Sequence, residues 1–179
     1  MADENTPATG NVDPNALDTA APQFAPQVIY LKDVSFESPM ALRLPQDSPA
    51  PQVNMNINTS VNPLTPELFE VVLTINVHAT VTEKPVWLCE IQQAGAFAFR
   101  NIPEPELRRI LGVFCPTYLL PYARQTISDL LTKGGYPPFL VPPVNFDALF
   151  DQAMQQAAAQ QAGQPAANDG SAPANSTLN

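Results

Sequence analysis

The stretch Leu68–Val81, LFEVVLTINVHATV, alternates between apolar and polar side chains over its whole length. One face would carry only apolar side chains: Phe69, Val71, Leu73, Ile75, Val77, Ala79 and Val81. The other face would be mostly polar, with Glu70, Thr74, Asn76, His78 and Thr80. A period of two is typical of a β-strand buried on one face. This stretch therefore predicts a long strand with one face in the core and the other in solvent, and it predicts that the fold contains a sheet.

Three shorter stretches with the same character flank it, at 27–37, 53–59 and 86–94. Short turns between successive strands favour an antiparallel sheet with one solvated face. Gly95 predicts a bulge or the end of regular pairing after the last strand. In 27–37, strict alternation would place Val28, Tyr30, Lys32, Val34 and Phe36 on one face. It would place Ile29, Leu31, Asp33, Ser35 and Glu37 on the other.

Beyond the strands the period becomes helical, with one apolar stripe formed by Leu107, Leu111, Phe114, Tyr118 and Tyr122. Pro116 and Pro121 interrupt it, which predicts two helical pieces joined by a kink or loop. Gly134–Gly135 ends this region, and Asn145 is placed to cap a last helix. The fold class is therefore α+β: a four-stranded antiparallel sheet followed by two long helices, the first kinked by prolines.

The 179 residues predict one domain at 27–161 between two disordered tails, an acidic one at 1–26 and a second at 162–179. Lys and Arg number 8 against 17 Asp and Glu, for a net charge of −9. Nucleic acids and anionic membranes require a basic surface, so neither is expected as a partner. We expect no secretory signal, no membrane-spanning segment and a cytoplasmic location.

The sequence gives little support for catalysis. His78 is the only histidine, and Cys89 and Cys115 are the only cysteines. These are too few for a His-based metal cluster or a four-cysteine zinc site, and no phosphate-binding loop or nucleophile motif is present. We expect no cofactor and no bound metal. A thiol enzyme using Cys115 and His78 remains a distant alternative.

The apolar residues outnumber those that one sheet and two helices can bury, which favours a homo-oligomer, a surface kept open for apolar partners, or both. Asp33 and Glu37 lie four apart and point the same way on a strand, and Glu90 would join them if its strand is a neighbour. These carboxylates predict either an ordinary solvated edge or a docking patch for a basic peptide.

Four blocks in order resemble the protein-export chaperone family SecB: IYLKDVSFE at 29–37, LCEIQQAG at 88–95, Cys115 to Arg124, and PVNFDALF at 143–150. The resemblance implies an ATP-independent holdase that keeps secretory precursors unfolded and delivers them to the ATPase SecA. It also implies a homotetramer, built as a dimer of dimers with eight-stranded sheets. The family's surface for the basic, zinc-bearing SecA tail corresponds to Asp33, Glu37, Leu88 and Glu90, so the zinc belongs to the partner.

We expect the client groove between the sheet, the kinked helix and the loops. Its candidate lining residues are Phe36, Trp87, Phe97, Tyr118, Leu119, Tyr136, Phe139 and Leu140. Exposed apolar surface and free backbone groups are what an extended client requires. Two alternatives remain open: a SecB-like chaperone of a toxin–antitoxin pair, and a small-ligand-binding oligomer.

Overall fold

The computed structural model describes residues 21–39 and 49–162. Its four strands are β1 (Gln23–Glu37), β2 (Gln52–Thr65), β3 (Leu68–Val81) and β4 (Lys84–Arg100). All pairings are antiparallel, and the strand order is β1-β4-β3-β2. The antiparallel sheet is therefore confirmed, with β4 and β3 at its centre and β1 and β2 at its edges.

Two tight hairpins set the order of the last three strands. The β2–β3 turn contains only Pro66 and Glu67, since Thr65 pairs with Leu68. In the β3–β4 turn, Thr82 and Glu83 have positive φ angles of 48° and 65°. A two-residue turn of this kind matches the twist of the strands on either side. Strand β1 is left to pair with β4 on its other edge.

The helical region comprises α1 (Glu104–Arg109), a π-helical turn (Ile110–Phe114), α2 (Cys115–Lys133) and α3 (Phe146–Ala162). No loop separates two pieces at the prolines, and α2 continues through Pro121. The irregularity is the π turn directly before Pro116, a residue that has no N–H for a helical hydrogen bond. The interruption predicted from the prolines is thus a local change of helical winding.

Both predicted helix ends are confirmed. At the end of α2, the N–H of Tyr136 donates to the carbonyl of Leu131 at 2.9 Å, and Gly135 adopts a φ of 82°. This is the hydrogen bond that closes a glycine-terminated helix. At the start of α3, the N–H of Ala148 donates to Oδ1 of Asn145 at 3.1 Å, as expected of an N-cap.

The core lies between the inner face of the sheet and α2. The predicted helical stripe splits here: Leu111 is buried, but Phe114, Tyr118 and Tyr122 are exposed. The buried positions of α2 are instead Cys115, Pro116, Leu119, Leu120, Ala123, Ile127 and Leu131. The π turn winds more widely than an α-helix, so the face that meets the sheet changes on passing through it. The aromatic residues are left on the solvent side.

The predicted strict alternation in β1 is wrong, because the pairing with β4 shifts register twice. The shifts fall between Pro26 and Val28 and between Leu31 and Asp33. Lys32 is the extra residue of the second shift, so residues after it point to the opposite face from that expected. Ile29 and Phe36 both pack against the core, and Ser35 and Glu37 lie on the outer face.

Two further predictions about strand ends are corrected. Gly95 neither bulges nor ends β4, since it pairs with Ile29 on one side and Val71 on the other. A Cβ there would lie 2.9 Å from the ring of Phe97, so glycine allows close packing on the inner face. Strand β1 begins at Gln23, which places residues 23–26 in the sheet. The ring of Phe24 stacks on that of Phe97 and adds an aromatic anchor there. The remaining tail predictions, for 1–20 and 163–179, lie outside the described residues.

A single carboxylate on the outer face links the strands. Glu70 of β3 is only 8% exposed and accepts hydrogen bonds from the Tyr30 hydroxyl, from Lys32 Nζ at 2.7 and 2.9 Å, and from Asn62 Nδ2 at 2.9 Å. Tyr30 and Lys32 belong to β1, so they reach across β4. By register, β4 carries an alanine, Ala96, directly opposite Glu70, which leaves space for them.

The hydrogen bond from Lys32, followed by those from Tyr30 and Asn62, lowers the pKa of Glu70 to about 2. The same carboxylate raises the pKa of Tyr30 to about 12, chiefly through their hydrogen bond. A lowered folded-state pKa stabilises the fold above the ordinary carboxyl pKa, here 4.5. That contribution is lost as the pH falls from 4.5 towards 2. The raised tyrosine pKa stabilises the fold below pH 10 and ceases to do so as the pH rises towards 12.

We expect Glu70→Gln to lower the free energy of unfolding at pH 7 by about 1–3 kcal/mol, because hydrogen bonds to a charged acceptor are lost. The difference in free energy of unfolding between the variant and the wild type should become smaller from pH 4.5 to pH 2. Over this range the wild type loses the stabilisation that the ionised Glu70 provides. Urea unfolding at fixed protein concentration across this range measures both effects. Identical pH dependence in the two proteins would contradict this role of Glu70.

Candidate functional site

The acidic patch predicted from the sequence forms one continuous surface on the outer face of the sheet. Glu37 of β1 pairs with Leu88 of β4, and Ser35 pairs with Glu90. Asp33, two residues before Ser35 with no further register shift, points the same way. We call Asp33, Glu37, Leu88 and Glu90 the docking patch. The structure thus brings together all four predicted residues on two neighbouring strands.

Strand β3 extends this patch into a shallow depression of about 220 Å³. Asn76 pairs with Glu90 and His78 pairs with Leu88, so both side chains lie beside the patch. The lining residues are Ser35, Glu37, Asn76, Val77, His78, Leu88, Cys89 and Glu90. Sequence reasoning placed Asn76 and His78 on the polar face of β3 but not at this site, because the β3–β4 register was unknown.

The chemistry of the depression suits a cationic segment that also carries an apolar side chain. Leu88 is 38% exposed and lines the depression together with carboxylates from both β1 and β4. None of its lining residues is a lysine or arginine. Carboxylates attract and orient a basic partner over a distance, whereas an exposed leucine contributes contact area once water is displaced.

The predicted client-groove residues fall into two groups instead of one groove. The first surrounds the chain segment after α2. The rings of Tyr136 and Phe139 lie 6.4 and 6.2 Å from that of Trp87. The Tyr136 hydroxyl donates to the Val86 carbonyl at 3.1 Å. Phe36 packs under the same turn, since a Cβ on Gly134 would lie 2.5 Å from its ring.

Exposure differs sharply within this first group. Leu140 is 82% exposed and Phe139 is partly exposed, whereas Trp87 is 5% exposed. Trp87 therefore supports the segment from beneath, and Phe139 and Leu140 present its apolar surface to solvent. We call residues 136–140 the aromatic loop.

The second group contains Phe97, Tyr118 and Leu119 and lies on the inner face near the start of α2. Phe97 and Leu119 have no exposed surface, so in this structure they belong to the core. Tyr118 is exposed and contacts Phe97 edge-on, with 6.3 Å between ring centroids. Tyr118 belongs instead to a second apolar surface on the helices.

This second surface, which we call the aromatic helix face, is formed by Phe114, Thr117, Tyr118, Pro121 and Tyr122. Neighbouring rings along it are 6.2 and 6.3 Å apart. Val28, Leu31 and Val34 of the edge strand β1 are also exposed. Exposed apolar area of this extent typically marks an interface with another protein or another copy.

The structure gives no support to thiol chemistry. His78 is on the outer face of the sheet, whereas Cys115 is fully buried on the helix that covers the inner face. Burial raises the pKa of Cys115 to about 12 and that of Cys89 to about 11, which disfavours the reactive thiolate. Among the described residues, no group of His, Cys, Asp and Glu is placed to hold a metal ion. Nor is any helix in that part of the chain long and apolar enough to cross a membrane.

The structure thus combines a long antiparallel sheet, helices over its inner face and an acidic patch on its outer face. The structure is similar to that of a SecB-like chaperone from Mycobacterium tuberculosis, solved in complex with an antitoxin peptide. The two share a TM-score of 0.58 at 17% sequence identity, over 68% of this chain and 91% of the other. This likeness concerns the fold alone.

Sequence comparisons give the family. The family described as "Preprotein translocase subunit SecB" matches residues 18–157. The Protein-export protein SecB of Marinobacter nauticus is 44% identical over 161 residues, covering 90% of this chain and 94% of that protein. The protein of the same name from Methylococcus capsulatus is 46% identical over 144 residues, covering 80% of this chain and 92% of that protein. The chain belongs to the SecB family.

Proposed function

We propose that this protein is a cytoplasmic, ATP-independent export chaperone that holds secretory precursors unfolded and delivers them to SecA. The observation that carries the proposal is the separation of two kinds of surface. The docking patch is anionic and lies on the outer face of the sheet, whereas the aromatic loop and the aromatic helix face are apolar and belong to the helical side. One molecule can therefore bind a client and a transport partner together.

For delivery, the docking patch receives the basic, zinc-bearing C-terminal tail of SecA. Its carboxylates come from β1 and β4, and by register Leu88 lies between Glu37 and His78. Complementary charge accelerates the encounter, and the central leucine supplies the desolvated contact on which most binding energy depends. The zinc is carried by the partner, so this chain needs no metal ligands of its own.

For holding, the aromatic loop supplies apolar contacts to extended clients. Leu140 and Phe139 are displayed to solvent while Tyr136 and Trp87 hold the loop against the end of the sheet. Burial of apolar area is non-directional, so many unrelated clients satisfy such a surface. Compact folded proteins keep their apolar segments buried and are not bound.

For assembly, the aromatic helix face is covered by other copies of the chain in a homotetramer. Phe114, Tyr118 and Tyr122 offer a self-complementary aromatic surface, and the exposed edge of β1 can pair with a second β1 to extend the sheet. Once the aromatic helix face is covered by another copy, it is not available to clients. The aromatic loop then remains exposed for client binding.

A toxin–antitoxin chaperone is the other function that this fold supports. The structural relative bound to an antitoxin peptide is only 17% identical to this chain, whereas the export proteins are 44–46% identical over most of its length. We therefore favour export. Binding of the SecA tail by the docking patch is the property that distinguishes the two.

We expect Asp33→Lys with Glu90→Lys to weaken binding of the SecA tail tenfold or more, because two attractive charges become repulsive. Wild-type binding should itself weaken as salt rises. Client holding should be unchanged. Titration of both ligands against the double variant measures these effects, with Glu104→Lys and Asp151→Lys on the helices as the charge-matched control. Equal loss of both affinities in the first variant would contradict separate surfaces.

We expect Leu140→Glu to weaken binding of a reduced, unfolded precursor by about tenfold or more, since burying a leucine contributes about 1.5–3 kcal/mol. Because this side chain is 82% exposed, the fold should be unaffected. Suppression of precursor aggregation without ATP is the measurement, and Leu64→Glu, at another exposed leucine, is the control. If both variants hold clients as well as the wild type, the aromatic loop is not the client surface.

We expect Tyr122→Glu to dissociate the tetramer, because a carboxylate would be placed in an apolar interface. Tyr122 is half exposed in one subunit and contacts Tyr118, so the subunit itself should remain folded. Sedimentation velocity at about micromolar concentration reports the mass, and Gln155→Glu on α3 is the control. A wild-type protein that sediments as a stable monomer would contradict this assembly.

A further inference from the structure

The register shift in β1 places a lysine next to the docking patch. Lys32 is the extra residue of the shift, and Asp33 follows it directly. Both side chains lie on the outer face: Lys32 reaches Glu70 there, and Asp33 is in phase with Ser35 and Glu37. A free ammonium at this position could pair with Asp33 and repel a basic partner.

The structure instead holds the ammonium of Lys32 on Glu70. Nζ lies 2.9 Å from one carboxylate oxygen and 2.7 Å from the other, so both oxygens accept from it. The carboxylate is itself fixed by Tyr30 and Asn62, and it is 8% exposed. A buried carboxylate with several donors is a rigid acceptor, and it directs Lys32 across β4 towards β3, away from Asp33.

We propose that Glu70 is a positioning residue for docking: by holding Lys32 across the sheet, it keeps the docking patch anionic for a basic peptide. The inference rests on the proposed function of that patch and adds a residue outside it. Asp33, Glu37 and Glu90 carry a formal charge of −3, and the Lys32–Glu70 pair adds zero. Without the Glu70 charge, the unpaired lysine changes the formal charge of this region from −3 to −2, and its ammonium can reach Asp33.

Three variants test this inference with a synthetic peptide of about eight lysine and leucine residues as the probe. Glu70→Gln should weaken peptide binding about two- to fivefold at low salt, the range expected for one exposed charge pair. Lys32→Gln alone should bind the peptide at least as tightly as the wild type. The double variant should recover wild-type affinity, because no lysine remains next to Asp33.

The double variant separates positioning from stability. If Glu70 acted only by stabilising the sheet, the double variant would be no more stable than Glu70→Gln and would bind equally weakly. That result would overturn the inference. A failure of the proposed function is recognised separately, since Asp33→Lys with Glu90→Lys would then leave binding of the same peptide unchanged.

A measurement on the wild-type protein keeps the inference testable if Glu70→Gln does not fold. Acylation of lysine side chains by a water-soluble ester, read out by peptide mass mapping, compares Lys32 with the exposed Lys84. We expect Lys32 to react several-fold more slowly, because its nitrogen is engaged by both oxygens of Glu70. Equal rates would show that Lys32 is free and would overturn the inference.

Discussion

The extra residue in β1 at Lys32 determines which side chains of that strand pack against the core and which lie on the outer face of the sheet, at the docking patch. Before it, the odd-numbered residue Ile29 packs inward; after it, the even-numbered residue Phe36 does. Hydrogen bonds on both faces of the sheet stabilise this register shift. Gln93, buried on the inner face, donates to the carbonyl of Tyr30 at 2.9 Å, and Glu70 binds Lys32 on the outer face. Without this change of phase, Ser35 and Glu37 would point into the apolar core.

The same change of phase explains how a small domain presents two dissimilar surfaces. A sheet with helices on only one face must be polar on the other, and here that polar face carries an acidic site. The apolar surfaces are the aromatic loop and the aromatic helix face, both on the helical side. In the proposed function, charge governs encounter at the first surface and apolar burial governs affinity at the others, so salt and temperature would act on the two kinds of binding differently.

Much of the fold could be predicted because the signals were local. Local patterns of apolar residues and turns identified all four strands, and single residues identified the helix ends at Gly134–Gly135 and Asn145. The docking patch was identified by resemblance, and pairing of β1 with β4 confirmed that its members are neighbours. The bulges of β1 and the strand order escaped prediction, since each depends on pairing between residues distant in sequence. The bond between Lys32 and Glu70, 38 residues apart, is of this kind.

The positions of the residues proposed for the client groove were the least predictable feature, for a related reason. The sequence does not distinguish an exposed apolar residue from a buried one. Phe97 and Leu119 were therefore grouped with Tyr118 and Leu140, although only Tyr118 and Leu140 are exposed. Which face of α2 is buried depends on the π turn before Pro116, a winding that no single residue specifies. The burial of individual residues on α2 therefore does not follow from the sequence pattern alone.

In the proposed function, partner and client occupy opposite surfaces of one subunit. Backbone amide chemical shifts, recorded for the wild-type protein with a basic peptide and then with an unfolded precursor, test it most directly. The account predicts that the peptide shifts the amides around Ser35, Glu90 and His78, and that the precursor shifts those of residues 136–140. If both ligands shifted the same set of amides, the account would be contradicted.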